Sequence, residues 1–173
     1  MKALYLFYLG DELYDRLGTG KFEGAPTITW NGLDPKSQEP TFVFRDTGFV
    51  YITSKGRRIK PGRMDTDGGS IPRILRAYKK ASAWYYGPAF IIHDWIFVAF
   101  KCGIKPDNSI GFEESADIMA EVMKTLTEVG FTNAYGKLQK FPKAEDTIYA
   151  MHRAVTSGTA KKLWNDKDSV SCR

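Results

Sequence analysis

His93 and Asp94 stand side by side in GPAFIIHDWIFVAF, residues 87–100, a stretch that is otherwise apolar. The chain holds two histidines, so a titratable pair inside a core-like segment asks for a reason. An imidazole becomes a useful base near neutral pH when a carboxylate fixes one ring nitrogen and leaves the other free. Neighbours on a helix point about 100° apart, so His93 and Asp94 cannot face each other but can flank one cleft. His93 precedes Phe97 and Phe100 at helical spacing, which puts it on the apolar stripe. The same residues also fit a satisfied core histidine beside a surface aspartate.

Three further segments bear on this pair. In TDGGSIP, residues 66–72, Gly68 and Gly69 allow a turn that aims several carbonyls at one point. Those carbonyls, with the Asp67 and Asp94 carboxylates, are the ligand types a hard cation such as calcium takes. The alternative is a plain helix start, capped by Ser70 or Asp67 with Pro72 in the first turn. In EESADIMAEVM, Asp117 precedes the inward Ile118. A partner helix in the right register brings its carboxylate to a ring nitrogen of His93. The alternative is an acidic residue near a helix N-terminus, favoured there by the helix dipole. In TIYAMHRAVTSG, Tyr149 can reach the same polar site, while His152 reads as a packing or surface residue.

The elements that must position these groups are legible in outline. Apolar spacing predicts helices over about residues 84–102, 112–129 and 144–156, each with a glycine beyond its end at Gly103, Gly130 and Gly158. Upstream, TFVFRDTGFVYITSKGRRI carries two apolar runs around Asp46-Thr47-Gly48 and a second turn at Lys55-Gly56. That pattern predicts hairpins in a small antiparallel sheet. DELYDRLG, residues 11–18, reads as one or two helical turns, and residues 24–40 as one short strand among turn residues. The fold class expected is α+β: a small antiparallel β region followed by a three-helix core. Residues 1–40 are expected to form an arm packed on a single domain of residues 41–173, whose tail is pinned by Leu163 and Trp164.

Composition narrows the classes. The 173 residues are 43% hydrophobic and 26% charged, the balance of one globular domain with a real core. Aromatic content is high at 14%, and a net charge of +5 favours an anionic partner without demanding one. The longest apolar runs fall far short of the roughly 20 residues a bilayer-spanning helix needs. The apolar start, Ala3 to Leu9, is stopped by Asp11 and Glu12 and lacks a small-residue cleavage site, so no signal peptide is expected. Two cysteines, Cys102 and Cys172, make no disulfide framework, which points to a reducing compartment or to one where disulfides are not needed.

Taken in order, TDxxSIPR, GPAxxxHDxxF, SADxxxxEVM and YxAxRxxxxG resemble a family of small phage and prophage proteins of unknown function. Asp67, Ser70, Ile71, Pro72, His93, Asp94, Ala116 and Asp117 carry that resemblance, over about residues 59–158. It implies a virion or host-cytoplasm location. The same order is similar, more distantly, to the phospholipase A₂ superfamily, above all its bacterial members, with their antiparallel helix pair. That second resemblance implies His93 as general base and Asp117 as the group that holds it. Asp94, with Asp67, Gly68 and Gly69, would ligate calcium, and Ser70 and Tyr149 would support. Phe97 stands where that superfamily has a supporting tyrosine, and Phe90 and Gly69 where it has cysteines.

Two functions of different kinds follow. One is a calcium-assisted ester hydrolase acting on lipid. Arg57, Arg58, Lys60 and Arg63, with Arg73, Arg76, Lys79 and Lys80, would draw it to an anionic surface, and Tyr78, Trp84, Tyr85 and Tyr86 would sit at the rim. The other is a non-enzymatic virion or assembly component that contacts other phage proteins, its His/Asp cluster a structural network. A histidine–aspartate metal phosphohydrolase is less well supported, because such sites need more histidines than His152 supplies. No specific nucleic-acid motif is present.

Overall fold

The computed structural model describes residues 10–35, 38, 40–66, 84–166, 170 and 172. The architecture is α+β, with two three-stranded sheets, a two-stranded hairpin and a group of helices. Helix α1 covers residues 10–16. Six strands follow: β1 (Lys21–Glu23), β2 (Thr27–Leu33), β3 (Pro40–Arg45), β4 (Val50–Ile52), β5 (Arg58–Ile59) and β6 (Met64–Thr66). Then come α2 (Gly87–Cys102), α3 (Phe112–Glu128), the hairpin of β7 (Phe131–Thr132) and β8 (Leu138–Gln139), α4 (Glu145–Val155) and α5 (Gly158–Asn165).

The expected hairpin at Asp46-Thr47-Gly48 does not form. β3 pairs antiparallel with β2 and β6, whereas β4 pairs with β1 and β5, so residues 46–49 carry the chain from one sheet to the other. Burial explains the crossing. Phe44, Phe49 and Tyr51 are all fully buried, and Phe44 meets Phe49 with ring centroids 6.2 Å apart, between the sheets rather than along one. The second expected turn does form. Gly56 takes φ 81°, and Thr53 and Arg57 close the β4–β5 hairpin with a 2.9 Å backbone bond. Residues 24–40 hold all of β2 and the first residue of β3, more than the single short strand expected of them.

Helices α2 and α3 pack on each other, and α3 also packs on α4. α2 starts at Gly87 with Pro88 in its first turn, where the missing N–H costs nothing, and stops at Gly103 in the left-handed conformation. Ile92, Ile96 and Ala99 on α2 face the core, with Met119, Val122, Met123 and Leu126 on α3. Trp95 reaches past this layer, and its indole donates to the buried Asp107 carboxylate at 2.7 Å. Gly158, expected to stop the third helix, instead opens α5. The Ser157 hydroxyl accepts from the Ala160 N–H as its cap. Trp164 on α5 is buried against Phe97, Phe100 and Phe112, so the tail is pinned as expected for that residue, while Leu163 stays exposed.

The two cysteines are joined. Cys102, the last residue of α2, is bonded to Cys172 with Cα atoms 5.5 Å apart, which removes the ground for expecting a reducing compartment. On a chain-entropy basis a cross-link over 70 residues takes about 4 kcal/mol from the unfolded state. Among the described residues no helix is long and apolar enough to cross a membrane.

Candidate functional site

His93 lies on α2 with its Nδ1 buried and without a hydrogen-bond partner. Burial pushes the imidazole down from 6.5 to about 4, with a hydrogen bond to the Ser115 backbone acting the other way, so the ring is neutral at pH 7. Asp94, one position on, is turned towards the sheet. The Thr66 hydroxyl, at the end of β6, donates to Asp94 Oδ2 at 2.6 Å. That bond ties α2 to the residue immediately before Asp67. Asp67, Gly68, Gly69 and Ser70 lie outside the described residues, as do Arg73, Arg76, Tyr78, Lys79 and Lys80. Of the expected calcium ligands the description therefore contains Asp94 alone, and among the described residues no three His, Cys, Asp or Glu side chains gather as a metal site.

Asp117 departs from expectation. His152 Nε2 donates to its Oδ1 at 2.9 Å, and Arg16 approaches the same oxygen at 3.6 Å. Among the described residues no hydrogen bond joins it to His93. The reason is rotation about α3. Ser115, whose backbone touches His93, is fully buried, and two residues turn a helix by about 200°. Asp117 therefore points away from α2, half exposed, towards α1 and α4. His152, read from sequence as a packing or surface residue, is the histidine that has a carboxylate. Tyr149 is partly buried against the core and makes no hydrogen bond to His93 among the described residues.

The polar cluster that sequence reasoning missed surrounds Glu121. Its Oε1 accepts from the Tyr51 hydroxyl at 2.8 Å and from the Ser54 N–H at 3.0 Å, and its Oε2 accepts from the Ser54 hydroxyl. Burial pushes the Tyr51 phenol above its usual range, which keeps it protonated and donating. Thr125, one turn further, accepts from the Gly20 N–H at 2.9 Å. Lys124 Nζ donates to the Tyr14 and Leu17 carbonyls, each at 2.8 Å, and so closes the C-terminal end of α1. The signal was in the sequence: Glu121, Lys124 and Thr125 interrupt IMAEVMKTL, where both flanks are apolar. A charge bracketed by core residues must be paired or bonded.

These features define a class, an α+β domain in which a packed helix pair carries an HD dipeptide beside the end of a short strand. The chain belongs to the family described as "Protein of unknown function (DUF1353)", whose model matches residues 46–137, more than half its length. The matched region starts before and ends short of the expected residues 59–158, and it leaves α4, with Tyr149 and His152, outside. No curated protein and no solved structure matches the chain.

Proposed function

We propose that this chain is a non-enzymatic virion or assembly component whose His93/Asp94 pair serves the packing of α2 rather than hydrolysis. The observation that carries this reading is the pairing of Asp117 with His152. A hydrolytic histidine needs a group to hold its tautomer and enough basicity to take a proton from water. His93 has no carboxylate on its buried nitrogen, and a pKa of about 4 makes it a weak base. Asp94 is engaged by Thr66 in a tie between helix and sheet. The phage part of the proposal draws on the sequence resemblance alone.

One observation favours the other reading. The Thr66–Asp94 bond holds a carboxylate at the residue that precedes Asp67 in the chain, and a calcium-assisted ester hydrolase would have Asp94 join Asp67, Gly68 and Gly69 as ligands. His93 would then be the base, with Ser70 and Tyr149 in support. Calcium titration and an ester-hydrolysis assay on wild type, His93→Gln and Asp94→Asn separate the two. The expected result is no calcium-dependent turnover above that of the variants. Turnover that needs calcium and vanishes in His93→Gln, with calcium binding lost only in Asp94→Asn, sinks the proposal. Mass spectrometry of purified phage particles tests the virion role directly, and absence of the chain from them counts against it.

A further inference from the structure

The β7–β8 hairpin is held firmly at its base and left bare at its tip. At the base, Phe131 packs edge-on against Phe22, and Phe141 against Tyr85 and Tyr86. The two strands close tightly at Gly130, φ 88°, where a Cβ would come within 2.5 Å of the Gln139 carbonyl oxygen. At the tip, Asn133 Oδ1 accepts from the N–H groups of Tyr135 and Lys137 at 3.0 and 3.1 Å. Gly136, φ 73°, donates back to the Asn133 carbonyl. These bonds build the three-residue turn with a left-handed glycine that hairpins of this length favour. The tip is thus a set shape.

That shape presents apolar groups to solvent. Tyr135 is 88% exposed and Leu138 61%. Leu138 pairs with Thr132, so it lies on the hairpin face opposite Phe131, away from the core. Every residue from 134 to 140 is exposed, Lys137 and Lys140 among them. Residues 129–144, VGFTNAYGKLQKFPKA, contain three lysines and no acid. Lys143 is engaged by Glu145, which leaves Lys137 and Lys140 as the cations of the tip.

We propose that this hairpin docks the protein on an anionic phospholipid surface. A tyrosine ring and a leucine enter the headgroup boundary, and the two lysines meet lipid phosphates and carboxylates. The exposed aliphatic side chain favours lipid over nucleic acid, since a leucine gains nothing from phosphate and does not stack on bases. The site is distinct from the arginines and lysines upstream that the sequence suggested for such a surface, and it does not depend on whether His93 catalyses anything.

The test is flotation of the full chain with phosphatidylcholine vesicles, with and without phosphatidylserine. Wild type is expected to float with the anionic vesicles only, and less so at high salt. Tyr135→Ser/Leu138→Ser and Lys137→Glu/Lys140→Glu are each expected to weaken partitioning about ten-fold or more. The changed side chains are exposed, so thermal melts should match wild type and show that folding is intact. Failure of wild type to bind, or binding that both variants retain, overturns the proposal. So does hairpin-dependent binding of a single-stranded oligonucleotide with vesicles left untouched.

Discussion

Around Glu121 both carboxylate oxygens have donors, all from the β4–β5 hairpin, and α3 is bolted to the sheet through them. Around His93 the arrangement is reversed: one ring nitrogen is buried with no partner, while the carboxylate beside it bonds to a different element. Both clusters sit on the same helix pair. The difference teaches that an ionisable side chain inside an apolar run does not declare its role by type. The role follows from whether neighbouring elements bring it the complementary atoms. Glu121 is complete and serves the fold. His93 is kept neutral by burial, which makes it easier to bury and poorer as a base.

The contrast can be broken or sharpened by three measurements. The largest effect is expected at Glu121. Glu121→Ala removes three charge-assisted hydrogen bonds between α3 and the β4–β5 hairpin and leaves the buried Tyr51 hydroxyl with Thr125 alone, at a cost of about 4 kcal/mol by urea denaturation. A loss under about 1 kcal/mol would show that the network is slack and erase the distinction. Next is acid stability. The His93 pKa is about 4 folded, against an ordinary 6.5, so between those values the unfolded chain binds a proton that the native state refuses. Stability from this group is full above pH 6.5, falls as pH drops, and levels off below 4, by about 3 kcal/mol in all. His93→Gln should lack that slope. Equal slopes in both proteins would mean that the imidazole is solvated after all. The smallest effect is expected at Thr66→Val, which deletes one donor to Asp94 and should cost about 1.5 kcal/mol. A cost equal to that of Glu121→Ala would make Asp94 as deeply structural as Glu121.

The parts of the molecule visible in sequence were those set by local chemistry. Gly103 stops α2 because a left-handed residue must follow a helix that ends there, and the Lys55-Gly56 turn closes β4 onto β5 for a similar reason. The candidate site was legible only as residue types. Asp117 was expected to serve His93, yet it serves His152, because a rotation of about 200° separates it from the position that touches His93. The hairpin expected at Asp46-Thr47-Gly48 failed for a related reason. The turn residues were right, but burial of Phe44 and Phe49 sent the two strands to different sheets. The Cys102–Cys172 bond could not be read from a count of two, since pairing depends on where the tail comes to rest.

By itself, then, the amino-acid order determined the course of the three central helices, the glycine stop of α2, the Lys55-Gly56 turn, the α+β class and the identity of the groups able to carry charge. Each of these rests on preferences acting over a few neighbouring residues. Tertiary structure alone decided which charge meets which: His152 with Asp117, Thr66 with Asp94, Tyr51 with Glu121. A hydrogen bond closes over about 3 Å, and partners 28, 35 or 70 residues apart in the chain reach that distance only after the core has set how each helix is turned.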